Sequence, residues 1–179
     1  MEINKKILLL LRGLPASGKS TFIKQYSLQD YCISADSVRY LLWGARLWER
    51  GGLYSPDTIE QDTWKIIMYA IATRMNTGDF IVVDSCHADS QEGLYWKLEQ
   101  YKNLCDLYDY TLAYKQFDTP LKECLIRSKN RSNREPYPDA IKQMAENLRN
   151  TKMPSYVVPF DSLEYGAMGE KICSIVKGF

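Results

Sequence analysis

Residues 8–22 read LLLLRGLPASGKSTF, and the fold turns on how that stretch is understood. Its first half completes an apolar run from Ile7 to Leu11 with no polar alternation, the pattern of a strand buried on both faces of a parallel sheet. Its second half carries G-x-x-x-x-G-K-S, with Gly13, Gly18, Lys19 and Ser20 in the fixed slots. Glycines at the first and last slots let a loop close around a phosphate without interference from Cβ atoms. The amides of Ala16, Ser17, Gly18, Lys19, Ser20 and Thr21 then face inward at the opening of a helix, where the dipole also favours an anion. In such a cradle Lys19 reaches the β- and γ-phosphates of a nucleoside triphosphate and Ser20 ligates Mg²⁺. ATP and Mg²⁺ are the expected ligands.

Working outward, the chain alternates between strand and helix signals. Lys19 to about Tyr26 reads as the helix after the loop, YCIS (31–34) as a short strand, and Val38, Leu41, Leu42 and Ala45 recur at helical spacing. SPDTIEQDTWKIIMYAIATRMNTG (55–78) is a punctuated helix, with Ser55 as N-cap, Pro56 in the first turn and Gly78 at the C-terminal cap. FIVVD (80–84) reads as the third strand, 91–105 as a helix and TLAYKQF (111–117) as a strand. Next comes a helix capped by Thr119, then one from about Asp139 after the Pro136 and Pro138 breaks, a strand within 156–164 and a terminal helix from about Ala167. The alternation predicts an α/β three-layer sandwich, a mostly parallel sheet of about five strands with helices on both faces. Ligands of such sheets sit beyond the carboxyl ends of the strands, so the residues there are the ones to read.

Bulk composition narrows the rest. At 179 residues the chain suits a single domain with a core that needs no disulfides. Hydrophobic residues are 45% and charged residues 25%, as in a soluble globular protein, and no apolar run is long enough to span a bilayer. MEINKK leads straight into the first strand without a signal-peptide layout. Cys32, Cys86, Cys105, Cys124 and Cys173 are scattered and His87 is the single histidine, so there is no zinc constellation. Free thiols in a cytoplasmic protein are the expectation. With a net charge of +1, any nucleic acid has to bind through a local patch.

No N-K-x-D segment reads a guanine base, since SKNR (128–131) lacks the aspartate, and a large mechanical ATPase needs more chain. A compact kinase needs an acid near the acceptor hydroxyl, a carboxylate near the metal and cations over the transferring phosphate. ISADSVR (33–39) supplies Asp36 and Arg39, three apart on one helix face. Asp36 either takes the acceptor's proton or caps the helix, and Arg39 holds an anionic part of the acceptor. VVDSCHAD (82–89) places Asp84 near Ser20, to bind the Mg²⁺ shell through water or to cap the next segment. His87 either touches an acceptor sugar or base, or is a neutral surface or cap residue. LIRSKNRSNREPYP (125–138) carries Arg127 and Arg131 as i, i+4 neighbours, with Lys129 and Arg134, read as a cationic flap over phosphates or a solvated basic face.

Taken together, the phosphate loop, the D-x-x-R of Asp36 and Arg39, and the R-x-x-x-R of Arg127 and Arg131 resemble the kinase domain of the polynucleotide 5′-hydroxyl kinases of bacteriophage and bacterial RNA-repair enzymes. The resemblance runs over about the first 150 residues. It implies a P-loop kinase domain spanning 1–179 with an arginine-bearing lid at about 127–138. It also implies ATP-dependent transfer to the 5′-hydroxyl of a DNA or RNA end, with nucleic acid as partner, no membrane, and room for a homo-oligomer. In that family the matching residues make Lys19 and Ser20 the phosphate and Mg²⁺ contacts. Asp36 becomes the general base, Arg39 the contact to the phosphate next to the acceptor nucleoside, and Arg127 and Arg131 the contacts to the nucleotide and transferring phosphate. Lys19, Asp36 and Arg131 are the implied catalytic set; Asp36, Arg39, Asp84 and His87 are the acceptor side. A phage product would act in the host cytoplasm. One departure stands out. Relatives often read aspartate-x-threonine-asparagine after the third strand, where this chain has Cys86 and His87 in the last two slots. No D-x-D-G-T segment is present, so a kinase without a 3′-phosphatase is expected.

SVRYLLWGARLWERGGLYS (37–55) interleaves Tyr40, Trp43, Trp48 and Tyr54 with three arginines, a composition suited to stacking on a nucleobase or, for some of the rings, to helix core. The alternative function is a small-molecule kinase of the same fold, acting on a nucleoside, sugar or antibiotic. A nucleotide-binding partner protein without turnover would leave the acid and lid idle.

Overall fold

Ile7–Gly13 form β1, buried at every position and hydrogen-bonded on both edges. A strand with no polar face belongs in the middle of a covered sheet, and β1 is the third of five strands. The structure is a computed structural model that describes residues 6–44, 57–130 and 138–163. After β1 come α1 (Lys19–Gln25), a 3₁₀ turn (Gln29–Tyr31), β2 (Cys32–Ser34) and α2 (Ala35–Trp43). Then follow α3 (Asp57–Met75), β3 (Ile81–Asp84), α4 (Gln91–Tyr108) and β4 (Thr111–Phe117). Last are α5 (Leu121–Lys129), α6 (Pro138–Asn150), β5 (Val158–Pro159) and a 3₁₀ turn (Phe160–Ser162).

Every strand pairing is parallel, in the order β2-β3-β1-β4-β5. Alternate residues of β1 serve two cores. Leu8 and Leu10 join Trp64, Ile67 and Ile71 of α3 with Leu94, Leu98 and Tyr101 of α4 on one face. Ile7, Leu9 and Leu11 join Phe22 and Ile23 of α1 with Phe80, Val82 and Phe160 on the other. Each of Leu8 to Leu11 is fully buried, a transfer gain of about 1.5–3 kcal/mol apiece. A third cluster packs Leu14 of the loop against Cys124 of α5 and Ile141 and Ala145 of α6, so the two late helices rest on the phosphate loop itself. Among the described residues no helix is long and apolar enough to cross a membrane.

Two local expectations change. Thr119 does not cap α5: Pro120 holds that position, and the Thr119 Oγ1 donates to the Ser17 carbonyl at 2.8 Å, tying the start of α5 to the loop. Pro138 is not a break but the first residue of α6, where its missing N–H leaves nothing unpaired. The expected cap at Ser55 and Pro56, the aromatic residues Trp48 and Tyr54, and the helix from Ala167 lie outside the described residues.

Candidate active site

Parallel register brings the carboxyl ends of three strands level: Leu11 of β1 pairs with Asp84 of β3, and Asp84 with Ser34 of β2. Two residues past Leu11 the phosphate loop begins. Its amide anchor is Gly13, which donates to the Cys86 carbonyl at 3.0 Å. A Cβ at Gly13 would lie 2.8 Å from the Phe117 Cβ and 2.9 Å from both the Phe117 carbonyl oxygen and the Ser17 Oγ, so only glycine fits there. Gly18, at φ +107, opens α1 in a backbone conformation that other residues rarely adopt. Ala16 accepts a left-handed φ of 63° in the same loop.

Lys19 is buried, its Nζ donating to the carbonyls of Gly13 at 2.9 Å and Leu14 at 2.8 Å and lying 3.5 Å from the Cys86 Sγ. The Ser17 Oγ is buried and has no hydrogen-bond partner among the described residues. An orphaned hydroxyl of this kind costs about 1–3 kcal/mol, and a phosphate oxygen would satisfy it. The cradle therefore fits a nucleotide phosphate. Ser20 and Thr21 lie exposed at the start of α1. No group of three His, Cys, Asp or Glu side chains among the described residues makes a metal cage.

Asp36 sits in the first turn of α2, and the cap there belongs to Ser34, whose Oγ accepts from the Ser37 amide. Its carboxylate is half exposed and receives the Arg39 Nη1 at 3.1 Å. Asp84, half-buried at the end of β3, is not the cap of α4 either; Ser90 is. Cys86 lies between the loop and this edge of the sheet, its Sγ 3.5 Å from the Lys19 Nζ. Burial raises its thiol pKa, the Lys19 ammonium opposes the rise, and the carboxylates of Asp36 and Asp84 add to it. The register sets Ser34 level with Asp84 and Leu11, and Asp36 follows Ser34 by two residues, so the acid of β2–α2 lies at the sheet edge from which the phosphate loop springs.

Arg39 is less free than its spacing implied. Its Nε meets the Glu60 Oε2 at 2.8 Å and its Nη2 the Glu60 Oε1 at 2.7 Å, a bidentate pair. The Trp64 Nε1 donates to the same Glu60 Oε1 at 2.8 Å. Burial alone would raise the Glu60 carboxyl, but the Arg39 hydrogen bond and charge, helped by Trp64 and Lys97, bring it down to about 2. Sequence reasoning missed Glu60, because a glutamate four residues before a tryptophan on a helix reads as a solvated position beside a core one.

His87 is the clear correction. It is only 1% exposed, in the core behind the loop, and so does not face an acceptor. Its Nδ1 lies 2.8 Å from the Leu11 carbonyl and its Nε2 3.3 Å from the Tyr101 hydroxyl. A carbonyl only accepts, so Nδ1 carries the proton and Nε2 accepts from Tyr101. Burial, reinforced by Lys97 and opposed by the Leu11 carbonyl and Asp89, lowers its pKa from 6.5 to about 4. The neutral imidazole suits the fold, so its contribution is whole above about pH 6.5 and is lost as pH falls toward 4. Urea unfolding is expected to show a loss of about 2 kcal/mol between pH 7 and pH 5 that His87→Phe removes. An identical pH slope in that variant would assign the loss to other groups.

Arg12 also went unread. Interrupting the apolar run, it is 5% exposed, and its Nη2 donates to the Thr151 carbonyl at 2.9 Å and Oγ1 at 2.7 Å, with Nη1 on the Gln116 Oε1 at 3.3 Å. With Asn147 Nδ2 on the Ala88 carbonyl at 3.0 Å, it fastens the end of α6 to the sheet. On α5, Arg127 donates from Nη1 to the Ala16 carbonyl at 3.4 Å and pairs with Glu123, standing at the rim of the loop. Arg131 and Arg134 lie outside the described residues.

A glycine-cradled loop between the central strand and its helix, a strand-end carboxylate and this strand order define a P-loop kinase fold, a nucleotide-binding architecture. The chain belongs to the AAA domain family (AAA_33), which matches residues 8–151. No curated protein matches it in sequence. Among solved structures, the Pnkp1/Rnl/Hen1 RNA repair complex contains a chain that aligns at 21% identity and a TM-score of 0.63, over 83% of this chain and 47% of that one. This chain therefore spans about half the length of that relative. A gluconokinase from Sinorhizobium meliloti aligns at 15% identity and a TM-score of 0.55, over 97% and 94% of the two chains. Kti12 from Chaetomium thermophilum, in complex with ADP-AlF3, aligns at 17% identity and a TM-score of 0.55, over 95% and 97%. At such identities the likeness is one of fold.

Proposed function

We propose that the protein is an ATP-dependent 5′-hydroxyl kinase of DNA or RNA ends, with residues 1–179 acting as one domain and about 127–138 as its lid. The observation that carries this reading is the Asp36–Arg39 pair, a half-exposed carboxylate 3.1 Å from the Arg39 Nη1, two residues past the strand end that lies level with the start of the phosphate loop. In this reading the loop amides, Ser17 and Lys19 hold the triphosphate, and Ser20 with Asp84, through water, holds Mg²⁺, which neutralises charge on the transferring phosphate. Asp36 accepts the proton of the attacking hydroxyl. Arg127, with Arg131, covers the phosphate being transferred.

Arg39 bears on the acceptor. Three of its five N–H groups meet Asp36 and Glu60 among the described residues, and in this reading the other two bind the phosphate on the 3′ side of the acceptor nucleoside. The D-x-x-R and R-x-x-x-R spacing and the likeness to a chain of an RNA repair complex support nucleic acid as the acceptor. One observation favours the small-molecule reading. Glu60 already balances the Arg39 charge, so a neutral acceptor loses nothing there.

The test is γ-labelled ATP offered to 5′-hydroxyl DNA and RNA oligonucleotides, nucleoside 3′-phosphates, free nucleosides and gluconate. Label is expected on the oligonucleotides and nucleoside 3′-phosphates. Arg39→Ala is expected to lower kcat/KM for 3′-phosphorylated acceptors at least tenfold more than for free nucleosides, the scale of a lost charge-assisted hydrogen bond. Label only on nucleosides or gluconate would replace the polynucleotide reading with the small-molecule one.

A further inference from the structure

Asp36, Arg39, Glu60 and Trp64 form one continuous run of contacts from α2 into α3. Trp64 is 3% exposed and anchored in the core with Ile67 and Ile71. Its indole N–H fixes one Glu60 oxygen, and Glu60 in turn grips Arg39 through both oxygens. Arg39, whose side chain is 17% exposed, presents Nη1 to the Asp36 Oδ1. Over the indole ring, the Lys97 Nζ lies 3.9 Å from the ring centroid and 2.6 Å from the Asp89 Oδ1, so the anchor is itself clamped.

A lone arginine on a helix surface samples many rotamers, whereas a planar guanidinium with a bidentate carboxylate on one edge has one orientation. Whatever the free edge of Arg39 holds inherits that orientation. We propose that Glu60, braced by Trp64, is a positioning residue that locks Arg39 and through it aims the Asp36 carboxylate at the acceptor hydroxyl. This rests on the kinase reading above. Glu60 touches neither nucleotide nor acceptor in it. A carboxylate misplaced by about 1 Å loses on the order of a hundredfold in rate, which sets the scale of the effect.

The experiment compares wild type, Glu60→Gln, Trp64→Phe, Arg39→Ala and the Glu60→Gln/Arg39→Ala double variant, using labelled transfer to a 5′-hydroxyl oligonucleotide. Glu60→Gln is expected to lower kcat by on the order of tenfold to a hundredfold with the KM for ATP unchanged, and Trp64→Phe by less. In the Arg39→Ala background the same change is expected to cost under twofold, because the route through Arg39 is gone. The Arg39 Nε–H resonance in ¹⁵N-labelled protein is expected to be sharp in wild type and lost to exchange in Glu60→Gln. Equal losses in both backgrounds would make Glu60 merely structural and overturn the proposal, as would wild-type turnover in Glu60→Gln or an unchanged resonance. A wild type silent on every acceptor would overturn the kinase reading as well; an active wild type with any of those three results overturns this inference alone.

Discussion

Replacing Asp36 by asparagine is expected to leave ATP affinity unchanged and to lower kcat by a hundredfold or more. The substitution keeps the size of the side chain and an oxygen that can still accept from the Arg39 Nη1, now 3.1 Å away. What it removes is the capacity to take a proton. Asp36 is not the helix cap, since Ser34 fills that role, so α2 should form as before. The Lys19 ammonium is held by the carbonyls of Gly13 and Leu14, which the substitution leaves in place. Steady-state kinetics with a 5′-hydroxyl oligonucleotide and a separate measurement of nucleotide binding distinguish the two effects. Wild-type turnover in Asp36→Asn would remove Asp36 as base, and a parallel loss of ATP affinity would assign it to the nucleotide side.

The order of elements and the phosphate loop were legible because they depend on local signals. A continuous apolar run, two glycines at a fixed interval and a helix after them have one common solution, and β1, the loop and α1 adopt it. Gly78 was expected as the cap of α3, but the helix ends at Met75 and Gly78 takes its left-handed φ of 78° in the turn that follows, its amide donating to the Met75 carbonyl. What the sequence left unread is non-local. Arg12 meets Thr151 across 139 residues and Thr119 meets Ser17 across 102, and no spacing rule foretells either contact. Thr119 was expected to cap α5 because threonine before proline often does; the competing carbonyl of Ser17 took its hydroxyl instead. From its place after a strand, His87 reads as an acceptor contact or as a neutral surface or cap residue, and it is neither. Its φ of 45° turns it away from that edge into the core, where a carbonyl and a phenol fit its two nitrogens. Arg39 was read correctly as lying on the face of Asp36, but its tie to Glu60, 21 residues on, changes what it offers an acceptor.

Lys19→Met is expected to reduce transfer by about a hundredfold to a thousandfold and to weaken ATP binding as well, the scale of removing one preorganised electrostatic stabiliser. Methionine keeps an unbranched side chain of similar reach and suits a buried site, so the loop backbone set by Gly13 and Gly18 should persist. The ammonium is held by two neutral carbonyls, those of Gly13 at 2.9 Å and Leu14 at 2.8 Å. Phosphate oxygens offer it stronger, charged acceptors in the same cradle, and charge builds further on them as the γ-phosphoryl leaves. Losing the lysine therefore affects the bound triphosphate and, more steeply, the transfer step. This differs in kind from Asp36→Asn, which leaves the donor bound and disables the acceptor. Nucleotide titration with each variant separates them: the Lys19 variant should lose affinity and turnover together, the Asp36 variant turnover alone. Should Lys19→Met bind ATP and turn over as wild type does, the glycine loop would be a structural turn, and the phosphate would have to be held elsewhere.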